Sequence, residues 1–234
     1  KEGNDILDMA AAPGGKTTQI AAITNNKAGI TACEKNKIRA ERLKYNIEKQ
    51  GAKVYVMLQD AKNIDNLFSF DQILLDAPCS GSGTILLGKS KEKELEESYA
   101  KERIQKITKT QKTLLKKAIG LLKSGKEMVY STCSILKREN QDVIEEFLKE
   151  NEDFELLDAF DILQKQGVEI NPYQKERFGE YFVMLPHLNK TDGFFGAVLQ
   201  KKRAEKPSKR LTQNTPENAE AEKPAEKKAE EAAK

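Results

Sequence analysis

The stretch DILDMAAAPGGKT, residues 5–17, joins a short apolar run to a turn of small residues and then to a helical pattern. Alanine and glycine in such a turn let a ligand approach the backbone closely. Other apolar runs followed by helical patterns occur further along the chain. Repeated strand–helix units predict an α/β fold with a doubly wound, mostly parallel sheet.

Short apolar runs and longer amphipathic stretches give the element pattern. The strand-like runs lie at 5–9, 29–34, 54–59, 70–78, 127–133, 154–159, 181–186 and 194–201. Helix-like patterns lie at 36–50, 101–122 and 138–150. In the first of these helices, Ile38, Leu43 and Ile47 are expected on the core side. The last two strand-like runs have no clear helix between them, which predicts an antiparallel hairpin at one edge of the sheet.

Composition limits the class of protein. The 234 residues include 40 basic and 37 acidic side chains, and no apolar run has the length of a membrane span. Three cysteines without a CxxC spacing predict free thiols in a reducing compartment, so we expect a cytoplasmic protein. The single histidine, His187, has no metal-ligand pattern around it, and we expect no metal. We further expect a monomer and no secretory leader.

The two ends of the chain differ from its middle. The first strand-like run begins only a few residues after Lys1, which suggests that an N-terminal part is missing. From residue 203 to 234, prolines interrupt an Ala/Glu/Lys pattern that holds a single larger apolar residue, Leu211. Such a segment buries too little apolar area to offset its ordering entropy. We therefore predict a folded domain over 1–202 and a disordered charged tail over 203–234.

Acidic residues follow three of the strand-like runs. Glu34, Asp60 and Asp76 come at the strand exits, where ligands bind in open α/β sheets. Three interpretations are open: a tight turn with solvated acids, a phosphate-binding loop, or a site for an adenosine cofactor without a pyrophosphate. The phosphate loop would need glycine where Ala10 stands, and Pro13 removes an amide donor. Carboxylates suit ribose hydroxyls and a cationic ligand, which favours the adenosine cofactor.

Two of the three cysteines also follow strands. Cys79 and Cys133 come after what should be neighbouring strands, so we expect both to face the same cleft as the small-residue turn. Cys33 lies inside a strand and is interpreted as a buried structural residue. A thiol protease is disfavoured because His187 is the only histidine available to form a dyad.

Four motifs together carry a family resemblance: DMAAAPGGKT (8–17), LLDAPCSGSGT (74–84), VYSTCS (129–134) followed by REN (138–140), and DGFFGAVLQK (192–201). In order and spacing, they resemble the Nop/Sun family of S-adenosylmethionine-dependent RNA cytosine-5 methyltransferases, over residues 4–202. The resemblance implies a seven-stranded, Rossmann-like class I methyltransferase sheet. The bacterial enzymes that act on small-subunit ribosomal RNA look most similar, and a transfer RNA substrate is the alternative.

The resemblance also implies roles for individual residues. Cys133 would attack carbon 6 of cytosine, Cys79 would assist product release, and Asp76 would stabilise the ring. By analogy, DNA cytosine methyltransferases would instead favour Cys79 as the nucleophile, but the two-cysteine pattern is that of the RNA enzymes. Contacts to S-adenosylmethionine would come from Ala10, Ala11, Ala12, Pro13, Gly14, Gly15, Lys16, Glu34, Asp60 and Asp76.

A basic segment is the candidate for RNA contact. Residues 89–117 hold 10 basic and 5 acidic side chains. On the predicted helix, basic residues recur at about helical spacing, at Arg103, Lys106, Lys109, Lys112 and Lys116. An ordinary solvated helix face would look the same, and an RNA-binding module without catalysis is a second functional hypothesis. Glu139 and Asn140 are expected to start the next helix, with a possible role in shaping the turn at Cys133.

Overall fold

The computed structural model describes residues 2–84, 100–169 and 172–203. The predicted tail, apart from Arg203, lies outside the described residues, as does the part of the basic segment between 89 and 99. The strands of the described part are β1 (Asp5–Asp8), β2 (Gly29–Glu34), β3 (Val54–Leu58), β4 (Phe70–Asp76), β5 (Leu122–Thr132), β6 (Phe154–Leu157), β7 (Phe182–Met184) and β8 (Phe194–Lys201).

Helices lie on both sides of these strands. The α-helices of the described part are α1 (Gly15–Ile23), α2 (Lys37–Lys49), α3 (Lys101–Leu121), α4 (Gln141–Glu150), α5 (Ala159–Lys165), α6 (Pro172–Phe178) and α7 (Pro186–Asn189). Two single turns of 3-10 helix occupy Ala61–Asn63 and Lys137–Glu139. No helix in these ranges is both long and apolar enough to cross a membrane.

The described strands form one eight-stranded mixed sheet, one strand more than the seven that the resemblance implied, because both β6 and β7 pair with β8. Its order is β3-β2-β1-β4-β5-β8-β6, and β7 also pairs with β8. The first five strands are parallel to one another, whereas β8 is antiparallel to β5, β6 and β7. The doubly wound, mostly parallel sheet is therefore confirmed, as is the antiparallel pairing of the last two strands.

The antiparallel pair of β7 and β8 lies at one edge of the sheet, as predicted. β8 lies inside the sheet, with β5 on one side and the short strands β6 and β7 on the other. Three of its side chains, Phe195, Ala197 and Leu199, are fully buried. A strand with this apolar face is stabilised by neighbours on both sides, because an edge would leave its backbone groups unpaired. The short strands β6 and β7 form the edge instead.

The core is divided by the sheet. On one face, Leu75, Leu115 and Tyr130 belong to a large cluster packed under α3 and α4. On the other face, α1 covers one small cluster and α2 another. In α2, Ala40, Leu43 and Ile47 are buried, but Ile38 is 71% exposed. The prediction for Ile38 was wrong because a separation of five residues turns a helix by about 140° from Leu43, at roughly 100° per residue.

Three short helices, α5, α6 and α7, were not predicted. Local capping explains the first of them: the Asp158 carboxylate accepts hydrogen bonds from the N–H groups of Phe160 and Asp161. Lys175 in α6 forms ion pairs with both Asp158 and Asp161. Helices this short give too few residues for a helical periodicity to be recognised, so they carry little signal in the sequence.

Candidate active site

A cavity of about 260 Å³ opens at the carboxyl ends of the parallel strands. Ligands of open α/β sheets bind at this edge. The turns that follow β1, β2, β3, β4 and β5 all contribute to its wall. Of the predicted site residues, those that line it are Ala10, Ala12, Glu34, Asp60, Asp76, Cys79 and Cys133.

The turn after β1 is held by a buried carboxyl group. Asp8 is 1% exposed, and its carboxylate accepts hydrogen bonds from the Thr17 hydroxyl, at 2.7 Å, and the Ala10 N–H, at 3.4 Å. Burial raises the pKa of Asp8 to about 6. Gly14 is the N-cap residue of α1 and has φ +110°, and a Cβ there would lie 2.9 Å from a methyl of Leu43. Asp8 was missed as a site residue because the predicted strand ran to residue 9, whereas β1 ends at Asp8.

The remaining residues of this predicted loop do not line the cavity. Ala11 is buried with Leu43 beneath α2. The Pro13 carbonyl accepts a hydrogen bond from the Asn46 amide at 2.8 Å. Gly14 and Gly15 form the start of α1, and Lys16 extends toward the strand β4 instead.

The carboxylate of Glu34 is 4% exposed and stands at the end of β2. It accepts a hydrogen bond from the Asn36 N–H at 2.9 Å, and the Arg39 guanidinium lies 3.6 Å away. Arg39 also donates to the Ala12 carbonyl at 2.6 Å, so it links the first two turns. A carboxylate has about four lone-pair sites, so Glu34 can still accept bonds from a ligand. Arg39 was not identified from sequence because it lies on a helix rather than at a strand exit.

Asp60 and Asp76 have different partners. Asp60 accepts the Lys62 N–H at 3.1 Å, and the Lys62 ammonium lies 3.4 Å from the other carboxylate oxygen. Asp76 binds the Lys16 ammonium at 2.6 Å and accepts a bond from the Ser131 hydroxyl at 2.8 Å. Asp76 therefore lines the cavity with the Lys16 ammonium bound to it, although Lys16 itself does not line the cavity.

The two cysteine turns converge. The sulfur atoms of Cys79 and Cys133 are 3.2 Å apart, and both residues are free thiols that are partly exposed. The Cys79 thiol donates a hydrogen bond that lowers the pKa of Cys133 to about 7, and Lys16 also lowers it, whereas burial and Asp76 oppose the change. The same hydrogen bond, together with burial, raises the pKa of Cys79. Cys133 is thus the sulfur favoured as a thiolate.

Cys33 differs from the other two thiols. It is fully buried in β2, and its sulfur lies 3.1 Å from the Gln59 carbonyl. Burial raises its pKa to about 12. A buried neutral thiol of this kind fits the structural interpretation and gives a matched control for the pair at the cavity.

A second layer of polar contacts lies behind the cysteine turns. Glu139 is fully buried, and its carboxylate accepts bonds from Ser80, which follows Cys79, and from Ser134, which follows Cys133. Asn140 accepts a bond from the Thr132 hydroxyl at 2.6 Å and donates to the Ser134 carbonyl at 2.8 Å. The helix α4 begins only after these residues, at Gln141.

Two glycines bring a third segment against the turns. The Gly83 N–H donates to the Cys133 carbonyl at 2.9 Å, and the Gly193 N–H donates to the Gly83 carbonyl at 2.8 Å. A Cβ on Gly83 would lie 2.7 Å from the Gly193 backbone and 2.8 Å from the Cys133 carbonyl oxygen. The glycines of the motifs at 74–84 and 192–201 therefore allow backbone contact that a side chain would prevent.

The predicted basic residues lie on α3, and none of them lines the cavity. Arg103, Lys106 and Lys109 are exposed. Lys112 and Lys116 form ion pairs with Glu146 and Glu150 of α4, so part of their charge is neutralised within the protein. The same helix reaches the site through Gln111, whose amide donates to the Pro78 carbonyl at 3.0 Å.

The Cys79–Cys133 hydrogen bond has a testable consequence for pH dependence. Thiolates react with iodoacetamide and thiols do not, so the alkylation rate of Cys133 should rise through a midpoint near pH 7. Replacing Cys79 with alanine removes the donor, and the midpoint should move up toward the ordinary thiol value of about 8.5. The other charged groups facing Cys133, Asp76 and Lys16, are unchanged by this substitution.

Peptide mass spectrometry after alkylation at a series of pH values measures this midpoint. Cys33→Ala serves as the control, since Cys33 lies outside the cavity, and it should leave the Cys133 profile in place. An unchanged midpoint in Cys79→Ala would contradict the role given to the hydrogen bond.

Known proteins resemble this chain in sequence and in structure. Residues 1–200 match the family described as 16S rRNA methyltransferase RsmB/F. A ribosomal RNA small subunit methyltransferase F from Aeromonas salmonicida is 37% identical over 205 residues, covering 86% of this chain and 41% of the relative. A tRNA (cytosine(72)-C(5))-methyltransferase from Pyrococcus horikoshii is 34% identical over 203 residues, covering 86% and 48%.

A solved structure agrees with these relatives. NSun6 from Pyrococcus horikoshii, determined with the S-adenosylmethionine analogue SFG, has a TM-score of 0.71 and 32% identity. The match covers 86% of this chain and 48% of that one. The chain thus spans about half the length of the relatives it matches. Within the described ranges, no group of three or more potential metal ligands is present.

Proposed function

The chain belongs to the 16S rRNA methyltransferase RsmB/F family, and we propose that it transfers a methyl group from S-adenosylmethionine to carbon 5 of a cytosine in small-subunit ribosomal RNA. The domain proposed to do so is residues 1–202. The observation that carries the proposal is the 3.2 Å approach of the Cys79 and Cys133 sulfurs beside the cavity. A single thiol would serve for attack, whereas a pair suits attack followed by release.

The residues around the cavity fit the proposed cofactor. The buried carboxylate of Glu34 can accept hydrogen bonds from ribose hydroxyls, as acidic residues at the end of the second strand do in nucleotide-binding sheets. Asp60 adds a second carboxylate at the end of β3, and Ala10 and Ala12 leave room for close approach. When bound, the cofactor would supply an electrophilic methyl group on a positively charged sulfur, which the acidic wall suits.

Carbon 5 of cytosine is a weak nucleophile, so the ring must be activated. In the proposed step, the Cys133 thiolate forms a bond to carbon 6, and the electrons of the 5,6 double bond make carbon 5 nucleophilic. Asp76 lines the cavity and forms an ion pair with Lys16. A hydrogen bond or proton from the Asp76 carboxyl group to ring nitrogen 3 would stabilise the negative charge that develops there during attack.

Release of the product needs a proton transfer from carbon 5. After carbon 5 accepts the methyl group, its proton must leave so that the bond between Cys133 and carbon 6 can break and the double bond can re-form. Cys79 is the proposed acceptor, because its sulfur lies beside that of Cys133. Once the Cys133 sulfur is bonded to carbon 6, Cys79 no longer donates to a thiolate; its thiol would pass its proton to solvent, and the resulting thiolate would take the carbon 5 proton. Access to the ring requires that the cytosine is unstacked from its neighbours. The exposed Arg103, Lys106 and Lys109 remain proposed contacts to the RNA backbone.

Methyl transfer from labelled S-adenosylmethionine tests the proposal. The chain would be incubated with small ribosomal subunits, with free 16S rRNA and with tRNA, and bisulfite sequencing would locate each modified cytosine. We expect incorporation into ribosomal RNA. Incorporation into tRNA alone would support the second candidate, which the tRNA methyltransferase among the relatives favours. Cofactor binding without incorporation into any of these RNAs would support a non-catalytic RNA-binding module.

A further inference from the structure

We propose that Glu139 is a positioning residue that holds the Cys79 and Cys133 turns in register, so that both sulfurs act on the same cytosine ring. The proposal rests on the proposed function, in which one thiol attacks and the other assists release. One carboxylate is hydrogen-bonded to both turns, which follow the strands β4 and β5. These hydrogen bonds fix the position of one turn relative to the other.

The carboxylate of Glu139 accepts two hydrogen bonds from the Cys79 turn and one from the Cys133 turn. One carboxylate oxygen accepts the Ser80 N–H at 2.8 Å. The other accepts the Ser80 hydroxyl at 2.6 Å and the Ser134 hydroxyl at 2.5 Å. Each serine directly follows a cysteine, so a shift in either serine moves the neighbouring sulfur. A carboxylate is the side chain that can accept all three bonds at once.

Burial makes these contacts strong and specific. Glu139 is fully buried, and Ser134 is 1% exposed. A buried carboxylate without hydrogen bonds would be costly, so the native arrangement of both turns is favoured over arrangements that leave it unsatisfied. Ser82 continues the network, with its hydroxyl 2.9 Å from that of Ser134. The Glu139 backbone carbonyl is held in turn by the Tyr130 hydroxyl at 2.7 Å.

The position of Glu139 keeps it out of the chemistry itself. It does not line the cavity, whereas the two cysteines do. Its effect must therefore pass through Ser80 and Ser134 to the sulfurs. Loss of the carboxylate should separate the thiols while leaving Glu34 and Asp60, the proposed cofactor contacts, in place.

Thiol proximity can be measured without RNA or cofactor. In glutathione buffers, the two thiols and one glutathione disulfide exchange to give one protein disulfide and two glutathione thiols. The equilibrium constant of this reaction is the effective concentration of one thiol at the other. We expect Glu139→Ala to lower the effective concentration for Cys79 and Cys133 by at least about tenfold, as expected when two groups lose their mutual positioning. Peptide mapping would separate this pair from Cys33.

The matched control is Glu145→Ala. Glu145 is an exposed carboxylate on α4, close in sequence to Glu139 but outside the cavity wall. Its replacement should leave the thiol equilibrium within about twofold of the unaltered protein, as for a surface substitution. Thermal melting would establish that each variant is folded.

A glutamine variant keeps the test available if Glu139→Ala does not fold. Glutamine has the same length as glutamate but only one oxygen that accepts hydrogen bonds. Its NH₂ group would face the Ser80 and Ser134 hydroxyls, which donate to the carboxylate in the unaltered protein. The Ser80 and Ser134 hydroxyls already lie near the N–H groups of Ser82 and Leu136, so they are poor acceptors for another donor. We expect Glu139→Gln to lower the effective concentration by a smaller amount, about threefold.

Catalysis supplies the second measurement. With saturating RNA and cofactor, the single-turnover rate of Glu139→Ala should fall by about 100-fold, the scale of a misplacement near 1 Å. The dissociation constant for S-adenosylmethionine should stay within about twofold of that of the unaltered protein, because the substitution leaves Glu34 and Asp60, the proposed cofactor contacts, in place. An unchanged thiol equilibrium in folded Glu139→Ala or Glu139→Gln would overturn the proposal. Failure of the unaltered protein to methylate RNA would reject the proposed function and leave the thiol result standing.

Discussion

Replacement of Cys133 with alanine should abolish methyl transfer, with a loss of at least about four orders of magnitude, the scale seen when a catalytic nucleophile is removed. The reason is chemical, since cytosine carbon 5 becomes reactive only after a thiolate has added to carbon 6. Cys133 is the sulfur whose pKa is lowered, and it lines the cavity. Transfer of labelled methyl groups to the RNA substrate measures the effect.

Cys33→Ala is the control for this prediction. Cys33 is buried in β2 and bonds to a backbone carbonyl, so its loss should leave the methylation rate near that of the unaltered protein. Substantial methylation by Cys133→Ala would contradict its assignment as the nucleophile.

The substitution of Cys79 has a different expected result. Cys79→Ala should allow attack by Cys133 but prevent release, so that most of the RNA-bound protein accumulates as a covalent complex. The physical reason is that the neighbouring sulfur, 3.2 Å away, is no longer present to accept the carbon 5 proton. Because the substitution also raises the pKa of Cys133, the assay should be run above the ordinary thiol pKa of about 8.5.

A denaturing gel reveals the complex as a band that shifts on RNA digestion. Cys79→Ala combined with Cys133→Ala is the matched control, since it lacks the attacking sulfur and should give no shifted band. A complex formed by Cys133→Ala and absent from Cys79→Ala would reverse the assignment of the two thiols.

Much of the fold follows from local patterns. β2 and β8 have the predicted bounds, and α2 differs from its prediction by one residue at each end. Each combines a clear periodicity with a recognisable stop, such as Gly51 after α2. The pairing of β8 between β5 and the short edge strands could not be predicted, because strand order depends on long-range contacts that no local pattern contains.

The candidate site was predictable where residues stand at strand exits. The carboxyl ends of parallel strands meet at one edge of the sheet, so Glu34, Asp76, Cys79 and Cys133 were expected to be neighbours. Residues that act from behind the site carry no such positional signal. Arg39 reaches Glu34 from a helix, and its sequence context is that of any exposed arginine.

Glu139 shows the same limit in a different form. It follows Cys133 by six residues, but its bonds to Ser80 cross 59 positions of the chain. Sequence gave only a weak reason to connect the motif at 138–140 with the turn at Cys133. For Lys112, helical spacing alone predicts a contact with RNA. In the structure, its ammonium group instead forms an ion pair with Glu146 of α4.

The most direct measurement is the identity of the peptide that becomes attached to RNA containing 5-fluorocytidine. Fluorine at carbon 5 cannot leave as a proton does, so the covalent complex of the unaltered protein should persist after methyl transfer. The account predicts that digestion and mass spectrometry will recover the nucleotide on the peptide that contains Cys133. Attachment to Cys79 would contradict it, as would the absence of any attached peptide from a protein that methylates unmodified RNA.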